Sequence, residues 1–264
     1  MGQIEKHAAN IRRNVIKMIS LAGSGHPGSS LGLADIFAAL YFEILNYNPT
    51  NSDDKSRDIL VLSAGHVVPA QYAAMAEAGL IPEGELSTLR QFGSRLQGHP
   101  ERDTLAWIET TSGPLGCGLS QAAGMAWAID DSRFVYCVTG DGELDEGNNW
   151  EAMMFAAKYK LGNLIAIVDR NGVQLDGETE DVMPLENLHE KFAAFGWHVQ
   201  EIDGNNVSSV IDACVRARAV DDQPSVIIAH TTMGKGVSFM EDDYHWHGKA
   251  LTEDETKKAT EELK

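Results

Sequence analysis

The chain has 264 residues, of which 43% are hydrophobic and 23% charged, a composition typical of one folded globular domain. Its formal net charge of −18 at pH 7 argues against nucleic acids and anionic membranes as partners, because proteins that bind them present a basic face. No apolar run approaches the roughly 20 residues that cross a bilayer and no signal peptide is visible, so we expect a cytoplasmic protein with reduced cysteines.

Helices and short strands are predicted to alternate along the whole chain. The apolar spacing predicts helices over 3–22, 34–45, 68–79, 84–92, 187–195 and 206–219, and a charged C-terminal helix capped by Thr252. It predicts strands over 58–63, 106–111, 197–202 and 225–230, in addition to the central unit described next. Such alternation indicates an α/β fold of three layers, with a mainly parallel sheet covered by helices on both faces.

The central unit spans Phe134 to Val173. An apolar run leads into Gly140-Asp141-Gly142, and a second run, LIAIVDR, ends just before Asn171, thirty residues after Asp141. This spacing fits one strand–helix–strand unit, so both side chains are expected at the same edge of the sheet, where α/β sheets bind ligands. A carboxylate, an amide oxygen and a carbonyl suit Mg²⁺, which commonly completes its shell with phosphate oxygens.

Glycine-flanked histidines form a second group of candidates. His26, His66, His99 and His247 lie in loops beside glycine, and His66 directly follows a predicted strand. A GDG tripeptide or a single loop histidine is more often a surface feature. Four such histidines indicate a cluster, because a bulky substrate needs close approach to the backbone and histidine suits proton transfer near neutral pH.

These motifs together resemble those of transketolases, from about Asn10 to Leu251. The matching segments, in order, are SGHPG, LSAGH, GHPE, TTSGPLGCG, GDGELDEG, DRNGVQLDG and WHGKAL. The resemblance implies the thiamine-diphosphate-binding fold and a reaction that transfers a two-carbon ketol unit from a ketose phosphate to an aldose phosphate, as in the pentose phosphate pathway.

The resemblance also implies a set of site residues. The implied ligands of Mg²⁺, with Ca²⁺ or Mn²⁺ as alternatives, are Asp141, Asn171 and the carbonyl of Val173. The residues implied to contact thiamine diphosphate are His66, Gly142 and His247 at the diphosphate, Gly113 and Leu115 near the aminopyrimidine, and Leu175 on the thiazolium. Gly140 and Lys249 are also implied to contact the cofactor. All four loop histidines are implied to face the sugar, with His26 and His247 as proton donors to the acceptor aldehyde.

The chain departs from most transketolases in length. Those enzymes continue into a pyrimidine-binding domain, which supplies the glutamate that activates the cofactor, and then into a C-terminal domain. We find one domain over 1–264 and expect the other two on a partner chain. The matching position of Glu146 in the family lies at a two-fold interface, so we expect a heterotetramer of two copies of each chain, inactive as separate chains. A carboxylate that merely stabilises the start of a helix is the simpler alternative for Glu146.

Other functions compete with this hypothesis. Within the same cofactor class, the chain could belong to an enzyme similar to 1-deoxyxylulose-5-phosphate synthase or to a 2-oxoacid dehydrogenase. Outside that class, the alternatives are a cofactor-binding interaction protein without turnover and an α/β domain whose glycine loops are only turns. The complete histidine set favours a catalytic transketolase chain, and the sequence does not name the sugars.

Overall fold

The computed structural model describes residues 2–129 and 132–264. Its main sheet is parallel, with the spatial order β1-β2-β3-β7-β6. The strands are β1 (Ile59–Leu62), β2 (Val135–Gly140), β3 (Leu164–Arg170), β6 (His198–Asp203) and β7 (Ser225–His230), and a separate antiparallel hairpin consists of β4 (Val173–Gln174) and β5 (Gly177–Glu178). The parallel order confirms the predicted sheet type.

Helices cover both faces of the sheet. They are α1 (Gln3–Ala22), α2 (Pro27–Gly32), α3 (Ala34–Ala39), α4 (Val68–Glu77), α5 (Gly118–Ala128), α6 (Gly147–Lys158), α7 (Thr179–Val182), α8 (Leu188–Ala194), α9 (Val207–Arg218) and α10 (Glu253–Glu262). Thr252 caps α10 through a reciprocal bond with Glu255, as the sequence predicts. None of the helices in the described ranges is both long and apolar enough to cross a membrane.

Two apolar clusters fill the space between the sheet and the helices. Because successive strand residues point to opposite faces, Ile165 and Ile167 of β3 pack on one side while Ala166 and Val168 pack on the other. The first side carries α1, α3, α4 and α9, and the second carries α5, α6 and α8. This three-layer arrangement is the predicted fold class.

Two predicted elements between β1 and α5 are wrong. The helix over 84–92 is a 3₁₀ turn over Glu83–Thr88, where Ser87 and Thr88 donate side-chain hydrogen bonds to nearby carbonyls instead of supporting a longer helix. The strand over 106–111 is irregular, because turns such as the bond from Ile108 N to Leu105 O satisfy its backbone. This stretch folds over the end of the sheet and contributes His99 to the site.

The predicted loop before residue 34 contains the helix α2. Pro27 begins this helix, where the missing N–H of proline costs nothing and its fixed φ favours the helical turn. The predicted helix over 34–45 is α3 followed by a π-helical turn over Leu40–Ile44. Starting α2 at residue 27 fixes His26 at its N-terminus, which matters for the site.

Candidate active site

One cavity lies where the parallel strands end. It has a volume of about 280 Å³ and is partly open to solvent. Its walls are formed by His26, Ser29, Ala64, His66, Val67, His99, Gly113, Leu115, Gly140, Asp141, Gly142, Glu143, Asp169, Asn171, Val173, Gln174, Leu175 and His247. The structure thus brings together residues that are more than 200 positions apart in the chain, at the sheet edge where the sequence places ligand binding.

Three of the four predicted histidines are in mutual contact. The ring centroids of His26 and His66 are 5.1 Å apart, those of His66 and His247 are 5.2 Å apart, and those of His26 and His247 are 5.7 Å apart. His99 lies in the same wall. These four side chains therefore form one cluster, although their catalytic roles stay predictions.

Burial lowers the pKa of all four histidines, which favours their neutral form. Burial, with a smaller contribution from the neighbouring His247, lowers the pKa of His26 to about 4 and that of His66 to about 3. Burial also lowers the pKa of His99 and of His247. The buried Nδ1 atoms of His26 and His247 have no hydrogen-bond partner among the described residues. Buried polar atoms normally have partners, so these two nitrogens have hydrogen-bonding capacity that the described residues do not use.

Asp141 is fixed by several donors on one of its oxygens. Its Oδ2 accepts hydrogen bonds from Arg170 Nη1 at 3.0 Å and from the backbone nitrogen of Gly172 at 2.7 Å. The other guanidinium nitrogen of Arg170 donates to Glu180 at 2.6 Å and to Glu186 at 2.9 Å. Burial raises the pKa of Asp141, and these donors act against that shift. Arg170 therefore ties Asp141 to the segment that follows β3.

Asn171 lies beside Asp141 and is oriented by its neighbours. Its Nδ2 donates to Asp169 Oδ2 at 2.9 Å, which leaves Oδ1 to accept from the backbone nitrogen of Val173 at 2.9 Å. Asp169 also accepts from Thr231, and burial followed by repulsion from Asp141 raises the pKa of Asp169 to about 7. Asp141, Asp169 and Asn171 therefore bring carboxylate and amide oxygens to one part of the cavity wall, and Val173 lines the same wall.

Sequence reasoning missed two buried acids in the wall, Glu143 and Asp169. Glu143 accepts hydrogen bonds from Ser63 and from the backbone nitrogens of Gly116 at 2.8 Å and Gly140 at 3.1 Å, so it joins three loops of the site. Burial raises the pKa of Glu143. The available signals were an acid directly after GDG and an acid inside the apolar run LIAIVDR.

Two predicted site residues lie outside the cavity. The ammonium of Lys249 bonds Glu255 at 2.8 Å and lies 3.9 Å from the centre of the Trp246 ring, so it points to the surface near α10. Glu146 is exposed at the start of α6, next to Gly116 rather than in the cavity wall. Every other predicted site residue lines the cavity.

Known proteins resemble the chain over its whole length. The family model described as "Transketolase, thiamine diphosphate binding domain" matches residues 4–264. The 6-deoxy-6-sulfo-D-fructose transketolase subunit SqwG from Clostridium sp. (strain MSTE9) is 43% identical over 98% of this chain and 95% of the relative. An apulose-4-phosphate transketolase subunit from Actinobacillus succinogenes is 42% identical over 99% of this chain and 96% of the relative.

The solved structures agree with these relatives. Transketolase from Leishmania mexicana superposes with a TM-score of 0.94 at 34% identity, and the match covers 100% of this chain but 41% of that one. The chain therefore belongs to the transketolase family, as its thiamine-diphosphate-binding domain. These names favour transketolase over the synthase and dehydrogenase alternatives.

Proposed function

We propose that this member of the transketolase family is the diphosphate-binding subunit of a two-chain transketolase. With its partner it transfers a two-carbon ketol unit from a ketose phosphate to an aldose phosphate. The observation that carries the proposal is the single cavity shared by Asp141, Asn171 and the four loop histidines. The two full-length relatives described above are named as transketolase subunits, which supports a divided enzyme.

The residues present fit thiamine diphosphate and a divalent metal. A side chain at Gly113 would meet no protein atom within 4 Å, so the backbone there is open to close approach by a ligand. Asp141 Oδ1, Asn171 Oδ1 and the carbonyl of Val173 would hold Mg²⁺, which favours such oxygen ligands. Ca²⁺ and Mn²⁺ accept the same set.

The remaining contacts divide along the cofactor. His66, Gly140, Gly142 and His247 would contact the diphosphate, Gly113 and Leu115 the aminopyrimidine, and Leu175 the thiazolium. The bound cofactor supplies the carbanion chemistry, while the protein supplies orientation and electrostatics. Leu175 is 64% exposed in this single chain, which suits a side chain that a ligand covers.

The histidines are suited to binding and proton transfer on the sugar. A neutral imidazole donates from one nitrogen and accepts at the other, and the lowered pKa of His26 keeps it neutral at pH 7. His26 and His247 both line the cavity, where their imidazoles can bond hydroxyl groups of a sugar. We assign these two residues to proton donation at the acceptor aldehyde, with His66 and His99 orienting the chain of hydroxyls.

The proposed assembly contains two copies of this chain and two of a partner. The chain forms one domain over 1–264, and the pyrimidine-binding and C-terminal domains would lie on the partner. An exposed aromatic face on α5 and α6 supports an interface there, because such patches mark association sites. Its members are Trp127, Met154, Phe155 and Tyr159, and Glu146 is the N-cap residue of α6. We place the enzyme in the cytoplasm, where three free cysteines stay reduced.

The test is reconstitution with the partner chain. Purified alone, the chain is expected to show no ketol transfer between sugar phosphates. Adding the chain that carries the other two domains should restore transfer, and sedimentation should show equal numbers of both chains. The Asp141→Ala complex serves as the inactive control. Robust turnover by the isolated chain would contradict the divided enzyme.

A further inference from the structure

Glu143 is a buried acid to which the proposed function gives no role. It is 2% exposed, and no lysine, arginine or histidine in 2–129 and 132–264 forms a salt bridge with it. Its two carboxylate oxygens accept from neutral groups on separate loops, Oε1 from the backbone nitrogen of Gly116 and Oε2 from that of Gly140. Burial of a carboxylate without a cation costs free energy, so packing alone would be better served by an apolar side chain.

The Ser63 hydroxyl fixes the direction of the hydrogen bonds around this carboxylate. Ser63 Oγ accepts from the backbone nitrogen of Gly118 at 3.0 Å, so its own proton is free to be donated to Glu143 Oε1. The main chain of Glu143 is held as well, because its carbonyl accepts from Asn149 Nδ2 at 2.7 Å. Both the backbone and the side-chain end of Glu143 are therefore fixed by donors from its surroundings.

The segment 113–115 in the cavity wall is held mainly at its two ends. Among the described residues, its backbone makes no hydrogen bond of its own. On one side Ser112 Oγ donates to a carbonyl of β1 at 2.6 Å, and on the other the backbone nitrogen of Gly116 donates to Glu143 at 2.8 Å. Asn148 adds a bond to the carbonyl of Gly116 at 2.9 Å. The carboxylate is therefore one of few groups that determine where this segment lies.

The two loops joined by the carboxylate differ in how else they are held. Gly140 is the last residue of β2 and lies in register with Asp169 of β3, so sheet pairing fixes it independently. Gly116 lies in irregular chain with φ of 81°, and a Cβ there would lie 2.5 Å from the Cβ of Glu146, which requires glycine at this close approach. Loss of the carboxylate should therefore displace the 113–116 loop and leave the strand end in place.

We propose that Glu143 is a positioning residue that sets the separation between the segment 113–115 and the strand end that carries Asp141. The inference rests on the proposed function, in which that segment contacts the aminopyrimidine and the strand end holds the metal and the diphosphate. Glu143 acts through the loop backbone and aligns the sites for the two ends of the cofactor with each other. A carboxylate suits this task because both of its oxygens accept, whereas the amide of glutamine offers one acceptor and one donor.

The binding test compares two ligands in the complete complex with Mg²⁺, by titration calorimetry. Glu143→Ala should weaken binding of thiamine diphosphate about tenfold and that of inorganic diphosphate less than about twofold, because only the first ligand reaches the segment 113–115. Glu143→Gln, which keeps the side-chain shape and one acceptor for Gly116, should lose about threefold for thiamine diphosphate alone, and it provides the test if the alanine variant does not fold. The matched control is Ser63→Ala, which removes a neighbouring bond and leaves the two loops joined. Equal losses for both ligands, or no loss for either, would overturn the proposal.

Hydrogen exchange on the full chain without cofactor separates this inference from the proposed function. The amide of Gly116 should exchange about tenfold faster in Glu143→Ala than in the wild-type chain, because it loses the acceptor that protects it. In Ser63→Ala its exchange should stay within about twofold of the wild-type rate, because the bond to Glu143 remains. A complex that shows no ketol transfer with any sugar phosphate would refute the proposed function alone. Unchanged exchange at Gly116 in the Glu143 variants would refute the positioning role.

Discussion

The two ends of the same parallel sheet are built differently. At the carboxyl ends of the strands, two histidine nitrogens lack partners among the described residues, and the pKa of Asp169 is raised to about 7 by burial and by Asp141. At the amino ends, the buried Asp58 accepts from the backbone nitrogens of Asn46 and Phe134, both at 2.9 Å. Arg218 completes that arrangement at 2.7 Å.

Both ends use charged side chains against an apolar core. At the amino ends, Arg218 also donates to the hydroxyl of Tyr136 and to the carbonyl of Ile44, each at 2.6 Å, so the polar groups around Asp58 satisfy one another within the chain. At the carboxyl ends of the strands, part of the hydrogen-bonding capacity is not used within the described chain. The difference teaches that polar and charged residues stabilise the fold where all their hydrogen bonds are made within the chain, and that they mark a binding site where some of those bonds are not made.

The largest expected effect comes from removing a charge at the open end. Asp141→Ala should weaken metal-dependent binding of thiamine diphosphate by more than ~100-fold, because it removes a carboxylate ligand of the metal. Calorimetry with and without Mg²⁺ measures this loss. The control is Asp145→Ala, an exposed carboxylate on the same turn. Normal cofactor binding by the Asp141 variant would disprove the metal assignment.

Removal of a charge at the amino ends of the strands should lower stability and leave cofactor binding almost unchanged. Asp58→Ala leaves Arg218 and two backbone nitrogens without their acceptor, so the free energy of unfolding should fall by about 2–4 kcal/mol. Urea denaturation measures this change, and cofactor affinity of the folded variant should stay within about twofold. Asp53→Ala, on the surface nearby, should change little. A variant of Asp58 that loses cofactor binding but not stability would erase the distinction between the two ends.

The smallest effect is a pH dependence of stability from the histidine cluster. The pKa of His66 in the folded chain is lowered to about 3 by burial, so the unfolded chain binds more protons below its ordinary value of 6.5. Stability is thus fully present above pH 6.5 and decreases as the pH falls from there toward 3. His66→Gln should remove about 2 kcal/mol of the difference between pH 7 and pH 5.

The measurement is a series of urea midpoints between pH 7 and pH 4. The exposed His245→Gln serves as the control, because its side chain lies at the surface beside Asp243. Parallel pH profiles for the wild-type chain and the His66 variant would show that burial of this ring does not alter its protonation.

Apolar patterns in the sequence predicted the sheet, most helices and the edge that carries the site, because continuous apolar runs reflect strands that are buried on both faces and helical spacing reflects burial on one face. They gave the wrong structure for 84–92 and 106–111, where side-chain hydrogen bonds and turns replace regular elements. The surface position of Lys249 depends on its pairing with Glu255 in a later helix, which no local pattern reveals. The hydrogen-bond network around Asp58 and Arg218 joins residues up to 174 positions apart, so it appears only in three dimensions.

The hydrogen bonds made by Arg170 determine how much the site has to reorganise when the cofactor binds. The guanidinium connects Asp141 with Glu180 and Glu186, so the segment carrying Val173 and Leu175 is already fastened before any ligand arrives. The conformational entropy of that segment is therefore lost during folding and not when the cofactor binds. Cofactor binding should therefore occur at a preformed site, with a small heat-capacity change and little gain in protection of the backbone amides over 171–187 from hydrogen exchange.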